Sequence, residues 1–186
     1  MIKNPKLATR YAQAFYDFAS ETGTIETVYH DILQIYEIMN THEELKRVLE
    51  SAIIPQDKKQ HIIKEVFEKH FCKTTFNFFS LIIKKRRVPQ LLQICSQFIK
   101  IYYKNHNIKE ACITSAQPLS EKLVQFIKNY LEKDSPFTFI LNLTVNPKII
   151  GGLVIKIDDF YYDASIITKI NKLKAEFSQN QYAAGF

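Results

Sequence analysis

Apolar positions in the first hundred or so residues recur at helical spacing. Leu7, Tyr11, Ala14 and Phe18 form one stripe, and Ala8, Ala12, Phe15 and Ala19 form a second beside it. At about 100° per residue the two stripes together cover an arc of roughly 160°. That is wider than one neighbouring helix needs. Asn4-Pro5 is a start signal, because the N–H that proline lacks is not used at a first helical position. Gly23 ends the segment. A second helix from Thr24 carries Val28, Ile32, Ile35 and Met39 in register. Thr41 and Glu44 have capping-box spacing and open a short third helix through Leu45, Val48 and Leu49. Pro55 opens a fourth, with Ile62, Ile63, Val66 and Phe67. The fifth, "TTFNFFSLIIKKRR", is apolar over most of its surface. Phe78, Phe79, Ile82 and Ile83 make its main face, while Asn77 and Leu81 sit four apart on a different side. Pro89 breaks the run, and a long sixth helix follows through Leu91, Cys95, Phe98 and Tyr102. Residues 1–105 are therefore expected to form a six-helix antiparallel bundle.

After about residue 106 the period changes. "KEACITSA" reads as a strand, and Ser120 caps a helix bearing Leu123, Phe126, Ile127, Tyr130 and Leu131. "FTFILNLTV" alternates strictly, placing Phe137, Phe139, Leu141, Leu143 and Val145 on one face. "LVIKID" and the short "FYY" supply further strands. Ile166, Ile170, Leu173 and Phe177 then mark a final amphipathic helix. The expected fold class is α + α/β, with a βαββα-like second domain over 106–178. Residues 179–186 have no pattern and are expected to be a disordered tail.

Composition narrows the class without identifying a function. An apolar fraction of 46% and a charged fraction of 24% are those of an ordinary globular protein. The net charge of +6 is spread as single lysines, apart from the cluster Lys84-Lys85-Arg86-Arg87. That balance suits an anionic partner or surface. Cys72, Cys95 and Cys112 are odd in number and far apart, which fits reduced thiols in a cytoplasmic protein. The N-terminal stretch mixes charge and polarity and reads as neither signal nor transit peptide. No apolar run approaches the ~20 residues that span a bilayer. Membrane association is expected only through partners.

Gly151-Gly152 lacks the Lys-Ser/Thr of a P-loop and the GxGxxG spacing of a dinucleotide fold. A strand-like segment follows it, where phosphate binding would need a helix N-terminus. The pair reads as a turn or bulge. Asp158-Asp159 falls at an expected hairpin turn, and Asp163 with Ser165 lies at the start of the last helix as a capping pair. Neither makes a calcium loop, which needs alternating acidic ligands and a closing glutamate. The histidines at 30, 42, 61, 70 and 106 have no metal spacing, and His70 and Cys72 lack a second pair. Ser115 and Ser120 have no nucleophile elbow, and no nucleophile–base–acid set can be assembled. The reading is of a non-enzyme with no cofactor and no metal. Nucleic-acid binding through the basic cluster, with Tyr102, Tyr103 and nearby phenylalanines, is the alternative, although those rings lie on core-like stripes. What remains is surplus apolar surface on the first and fifth helices. Periodicity alone fits a groove for an incoming amphipathic helix and two centrally buried helices equally well.

Four stretches, in order along the chain, resemble the ATP synthase delta subunit family, related to the mitochondrial oligomycin-sensitivity-conferring protein. "ATRYAQAFYDFA" is similar to the family's first-helix signature, with Tyr11, Ala12 and Ala14 in its core. "FNFFSLIIKKRRVPQLLQICSQFIKIY" resembles its Leu-rich helix, Arg-containing turn and following helix, although Phe76, Phe78 and Phe79 and the basic turn depart from the usual pattern. "ITSAQPLS" resembles its lead into the second domain, and Gly151-Gly152 with Asp163 and Ser165 its closing motif. The resemblance implies a non-catalytic stator subunit of the rotary proton-translocating ATP synthase. Its N-terminal bundle would sit on the catalytic head and hold the N-terminal helix of an alpha subunit between first and fifth helices. Its C-terminal domain would bind the C-terminal ends of the peripheral-stalk b subunits. Resisting rotor torque in this way keeps proton flow coupled to ATP synthesis. Tyr11, Ala14, Asn77 and Leu81 match the family's groove positions; Leu7 and Phe18 extend the stripe by helical spacing alone. The implied location is the cytoplasmic face of a bacterial plasma membrane, as a peripheral protein.

Overall fold

A computed structural model of the chain describes residues 5–51, 54–67, 71–133 and 135–179. Asn4, His70 and the tail beyond Gln179 lie outside the described residues, as do the side chains of Leu45, Ile62, Ile63, Val66 and Phe67. The chain divides into two compact units between Asn105 and His106. The first contains α1 (Pro5–Glu21), α2 (Ile25–Thr41), α3 (Glu43–Glu50), α4 (Gln56–Phe67), α5 (Lys73–Lys84) and α6 (Leu91–Asn105). A 3₁₀ turn, Val88–Gln90, joins the last two around Pro89.

The core of this unit is built on α6, against which α1 and α2 both pack. The buried stripe of α1 is Ala8, Ala12, Phe15 and Ala19, and three alanines let the facing helix approach closely. Facing side chains include Ile94, Phe98 and Tyr102 of α6 and Val28, Ile32, Ile35 and Met39 of α2, all buried. Each large side chain so buried contributes about 1.5–3 kcal/mol. Tyr29 of α2 stacks on Tyr102 at 3.8 Å, and the Tyr102 hydroxyl donates to Glu26 Oε2 at 2.7 Å. Burial first, and then the Glu26 carboxylate, push the Tyr102 pKa up, so the phenol stays a donor.

Helix ends follow local chemistry. Gly23, at φ +65°, closes α1 in a Schellman motif, with Thr24 N–H on Ala19 O at 3.0 Å and Gly23 N–H on Ser20 O at 3.1 Å. The N-cap of α5 is Cys72, whose sulfur accepts from Thr75 N–H at 3.5 Å, while its own N–H donates to Asp31 Oδ2 of α2 at 2.9 Å. The capping box expected at Thr41 does not form. Only His42 separates α2 from α3, so Thr41 remains the last residue of α2 and its hydroxyl donates back to Glu37 O at 2.9 Å.

The second unit contains β1 (Ile108–Ser115), α7 (Glu121–Glu132), β2 (Thr138–Val145), β3 (Leu153–Ile157), β4 (Phe160–Asp163) and α8 (Ile166–Gln179). The sheet order is β2-β1-β3-β4, with β1 and β2 parallel and the other pairs antiparallel. The parallel pair needs a crossover, which α7 supplies. The order is βαβββα: its four strands fall on the four stretches read as strands in the sequence, and the βαββα-like label counts one too few. The short β4 pairs along its whole length with β3 across the two-residue turn Asp158-Asp159. Helix α8 also extends one residue into the expected tail, to Gln179. Ser120 stands at the N-cap of α7 without a side-chain bond; its carbonyl accepts from Leu123 and Val124 N–H instead.

The glycine pair and the Asp163/Ser165 pair work together. Asp163 accepts from Ser165 N–H (2.8 Å) and from the Thr168 hydroxyl (2.8 Å), and Ser165 Oγ caps the helix by accepting from Thr168 N–H at 3.3 Å. Gly151 O accepts from Ile166 N–H at 2.9 Å, tying the turn to the first residue of α8. Gly152 has φ +80°, and a Cβ there would collide with the Ala164 carbonyl oxygen. A Cβ on Gly151 would meet only the Ile166 side chain, at 2.7 Å. Gly152→Ala is accordingly expected to cost the second unit about 3 kcal/mol. Hydrogen exchange along β3 reads this out, and unchanged protection would show that the turn tolerates a side chain. The Ser165 hydrogen bonds first, then that of Thr168, hold the Asp163 carboxyl below its ordinary value. A depressed folded pKa stabilises above the unfolded value of about 3.9, and that gain is lost as pH falls through the folded pKa. Asp163→Asn should therefore be less stable at pH 7 and lose less stability on acidification, as followed by urea midpoints across pH.

Candidate docking groove between the first and fifth helices

Of the two apolar stripes on α1, only one is buried. Tyr11 is half-buried and Ala14 is exposed, while Phe18 is 52% exposed despite its aromatic ring. On α5, Phe79, Ile82 and Ile83 are buried, but Asn77 is exposed and Leu81 is 44% exposed. These two leftover faces meet. A cavity of about 370 Å³ opens between them, lined by Tyr11, Ala14, Phe15 and Phe18 of α1 and by Thr74, Asn77, Phe78 and Leu81 of α5. Its floor is the stack of Phe15 on Phe78, with centroids 3.8 Å apart and planes 4° from parallel. Phe15 in turn tilts against Phe98 of the core at 5.4 Å.

Five of the six residues singled out in the sequence, Tyr11, Ala14, Phe18, Asn77 and Leu81, line this one cavity. Leu7 does not. It lies two helical turns from Ala14, in an adjoining hollow with Lys6, Arg10 and Tyr11. Phe15, Thr74 and Phe78 were not singled out, because Phe15 belongs to the stripe facing α6 and Phe78 to the main apolar face of α5. Large rings reach beyond their own stripe, and a tally of angular positions misses that reach. The polar atoms of the lining are the Tyr11 and Thr74 hydroxyls and the Asn77 amide. The lining therefore offers shape, apolar area and a few hydrogen bonds, as expected where an amphipathic helix is bound.

Helix α5 ends at the basic cluster, where Arg86 takes the left-handed position of a Schellman turn at φ +58°. Arg87 N–H bonds to Ile82 O at 2.9 Å and Arg86 N–H to Ile83 O at 2.8 Å, and all four cations of 84–87 are exposed. The rings proposed for base stacking are committed to packing: Phe78 stacks on Phe15, and Tyr102 on Tyr29. Among the described residues no group of three His, Cys, Asp or Glu side chains could hold a metal ion. Cys95 is buried and its thiol is pushed up to about 12 by burial, so it packs as an inert apolar group.

The family description of the ATP synthase delta (OSCP) subunit matches residues 7–177. The chain belongs to this family. ATP synthase subunit delta of Amoebophilus asiaticus is 33% identical over 180 residues, covering 96% of this chain and 98% of that one. The same subunit of Syntrophomonas wolfei is 31% identical, covering 95% and 97%. A chain in the cryo-EM structure of the Toxoplasma gondii mitochondrial ATP synthase hexamer shares the fold. Its TM-score is 0.70 at 19% identity, over 92% of this chain and 97% of that one. Family membership makes this delta-type chain an accessory subunit of an ATP synthase rather than a catalytic one. No helix among the described residues is long and apolar enough to cross a membrane.

The Phe15 ring is shared between groove and core, so its loss should be felt in both. Phe15→Ala is expected to cost about 3–5 kcal/mol. A double-mutant cycle with Phe78→Ala should return a coupling of about 1 kcal/mol for the stacked pair. Urea denaturation of the four proteins measures both, and strict additivity would show that the stack contributes nothing of its own.

Proposed function

We propose that the chain is the stator link of a rotary proton-translocating ATP synthase. The first unit acts as a six-helix antiparallel bundle on the catalytic head and receives the N-terminal helix of an alpha subunit in the α1–α5 groove. The second unit holds the C-terminal ends of the peripheral-stalk b subunits. Joined through this chain, head and stalk resist rotor torque, and proton flow stays coupled to ATP synthesis. The observation that carries the reading is the solvent-open apolar groove lined by Tyr11, Ala14, Phe18, Asn77 and Leu81, in a chain of the delta family.

The second unit supports the stalk assignment through its own surplus. Phe126 and Tyr130 of α7 lie ring over ring at 6.5 Å yet are largely exposed. Leu173 and Phe177 of α8, and Phe160, Tyr161 and Tyr162 of β4, also face solvent. So much exposed aromatic and aliphatic side chain on one small unit supports an interaction role for it. The bacterial relatives favour the cytoplasmic face of a plasma membrane as the site of the complex.

Ala14 is exposed in the free chain, so Ala14→Asp should leave the fold intact and place an unpaired charge in the occupied groove. Its expected cost to binding is about 3 kcal/mol, more than a hundredfold in Kd. Calorimetry of the full chain with a synthetic peptide of the alpha N-terminal helix tests this, with circular dichroism confirming the fold. Unchanged affinity would remove Ala14 from the site, and no binding by the unmodified chain would remove the groove assignment.

A further inference from the structure

Strand β2 is one edge of the sheet, and nothing in its sequence discourages a further strand from joining it. Its eight residues, TFILNLTV, contain no charge, no proline and no glycine. The opposite edge, β4, has only four residues and ends at Asp163, and a short edge of that kind limits pairing. Backbone direction along β2 is fixed by its pairing with β1. Thr138 N–H bonds to Asn107 O at 3.0 Å and Asn146 N–H to Ser115 O at 2.7 Å, so the even-numbered residues turn their polar groups toward β1. The odd-numbered residues, Phe139, Leu141, Leu143 and Val145, turn theirs outward. Phe139 N–H is already held, by Glu132 Oε1 of α7 at 3.0 Å. Among the described residues, no hydrogen bond reaches the outward groups of Leu141, Leu143 or Val145. Leu143 and Val145 also have about half of their side-chain surface exposed.

We infer that this edge pairs with the same edge of a second copy of the chain, β2 against β2, antiparallel about a two-fold axis at Leu143. The occupant follows from the strand's own pattern. The Glu132 carboxylate stands where an incoming strand would lie beside Phe139, which confines pairing to Leu141 through Val145. With Leu143 at the axis, Leu141 of each copy meets Val145 of the other, and each residue exchanges both N–H···O bonds with its counterpart. Side chains then match on both faces. Leu143 meets Leu143 and Leu141 meets Val145 on the apolar face, while Asn142 meets Thr144 on the polar one. The position opposite Phe139 is Pro147, which has no N–H to offer, so the ladder ends where the donors run out. An uncharged strand meets no repulsion from its own copy, and a two-fold contact closes on itself, so the pairing stops at two copies. Only the short β4 edges are then left outermost. The inference concerns the free chain and does not depend on the stator reading.

Sedimentation equilibrium of the full chain, from micromolar to millimolar concentration, should show a monomer–dimer equilibrium. Amide exchange at Leu141, Leu143 and Val145 should slow as concentration rises, while that of Phe139, already bonded within the chain, stays constant. Leu143→Lys sets two like charges face to face at the axis and should weaken dimerisation roughly tenfold or more, with circular dichroism checking the fold. Leu143→Glu should do the same alone. A mixture of the two variants should recover dimer formation, a rescue that requires position 143 to face itself and that a misfolded variant would not give. Should either variant fail to fold, the amide measurement on the parent chain decides alone. A chain that stays monomeric to millimolar concentration would overturn the inference. So would a dimer whose amides at 141, 143 and 145 exchange as in the monomer, or failure of the two folded variants to pair.

Discussion

The first unit turns on the position of one ring. Phe15 lies at the boundary between the two stripes of α1, buried against Phe98 on one side and stacked on Phe78 on the other. It therefore fixes α1 to the core helix and sets the floor of the groove with the same atoms. Shift α1 along its axis and the stack, the alanine contacts with α6 and the groove lining would all change together. Close-packed interiors resist such shifts because each gap forfeits contact energy on both sides. In the proposed stator role, a site that holds a partner under load gains from being built on this kind of contact rather than on a loop.

Helical periodicity carried most of the first unit's elements and the face that each presents. It could not decide whether the wide apolar arc of α1 was central or open, because both produce the same pattern of residues. Burial decides it: Ala8, Ala12, Phe15 and Ala19 are enclosed, while Ala14 and Phe18 are not. On α5, spacing showed only that Asn77 and Leu81 lie on a side apart from the main apolar face; the resemblance to the delta family is what singled them out as groove positions. Leu7 was drawn in by spacing alone, and spacing along one helix says nothing of where the neighbouring helix ends. Thr41 failed as a cap for a related reason, since capping-box spacing cannot show that the preceding helix has not yet finished.

In the second unit, alternation located the strands but overstated what they bury. Phe139 is enclosed, whereas Leu143 and Val145, in step with it on the same strand, are about half exposed. A strand pattern records that a face is apolar and leaves open what covers it, whether the chain itself or a partner. The same holds for α7, where Ile127 is buried and Leu123, Phe126 and Tyr130 are not. The glycine and aspartate motif was readable in kind, as turn and cap. Its geometry adds the reason for its composition: the left-handed Gly152 lies against the Ala164 carbonyl, and Asp163 and Ser165 together hold the start of α8. The positive φ of Ile150, +68° at a β-branched residue, has no counterpart in the pattern that precedes it.

The proposed stator role needs no reactive groups, and the chemistry of the groove is consistent with that. Its lining has no charged side chain, so moderate changes of pH leave the charge of the lining unaltered. The cations at the end of α5 lie beyond Leu81 and are exposed, so they stay solvated. Placing them inside would incur the cost of burying ions, and any mismatch would weaken the joint. Along one helix the uncharged row from Thr74 to Leu81 and the cations at 84–87 are thus kept apart. A substitution in the turn therefore falls outside the apolar lining and leaves its shape to α1 and the body of α5.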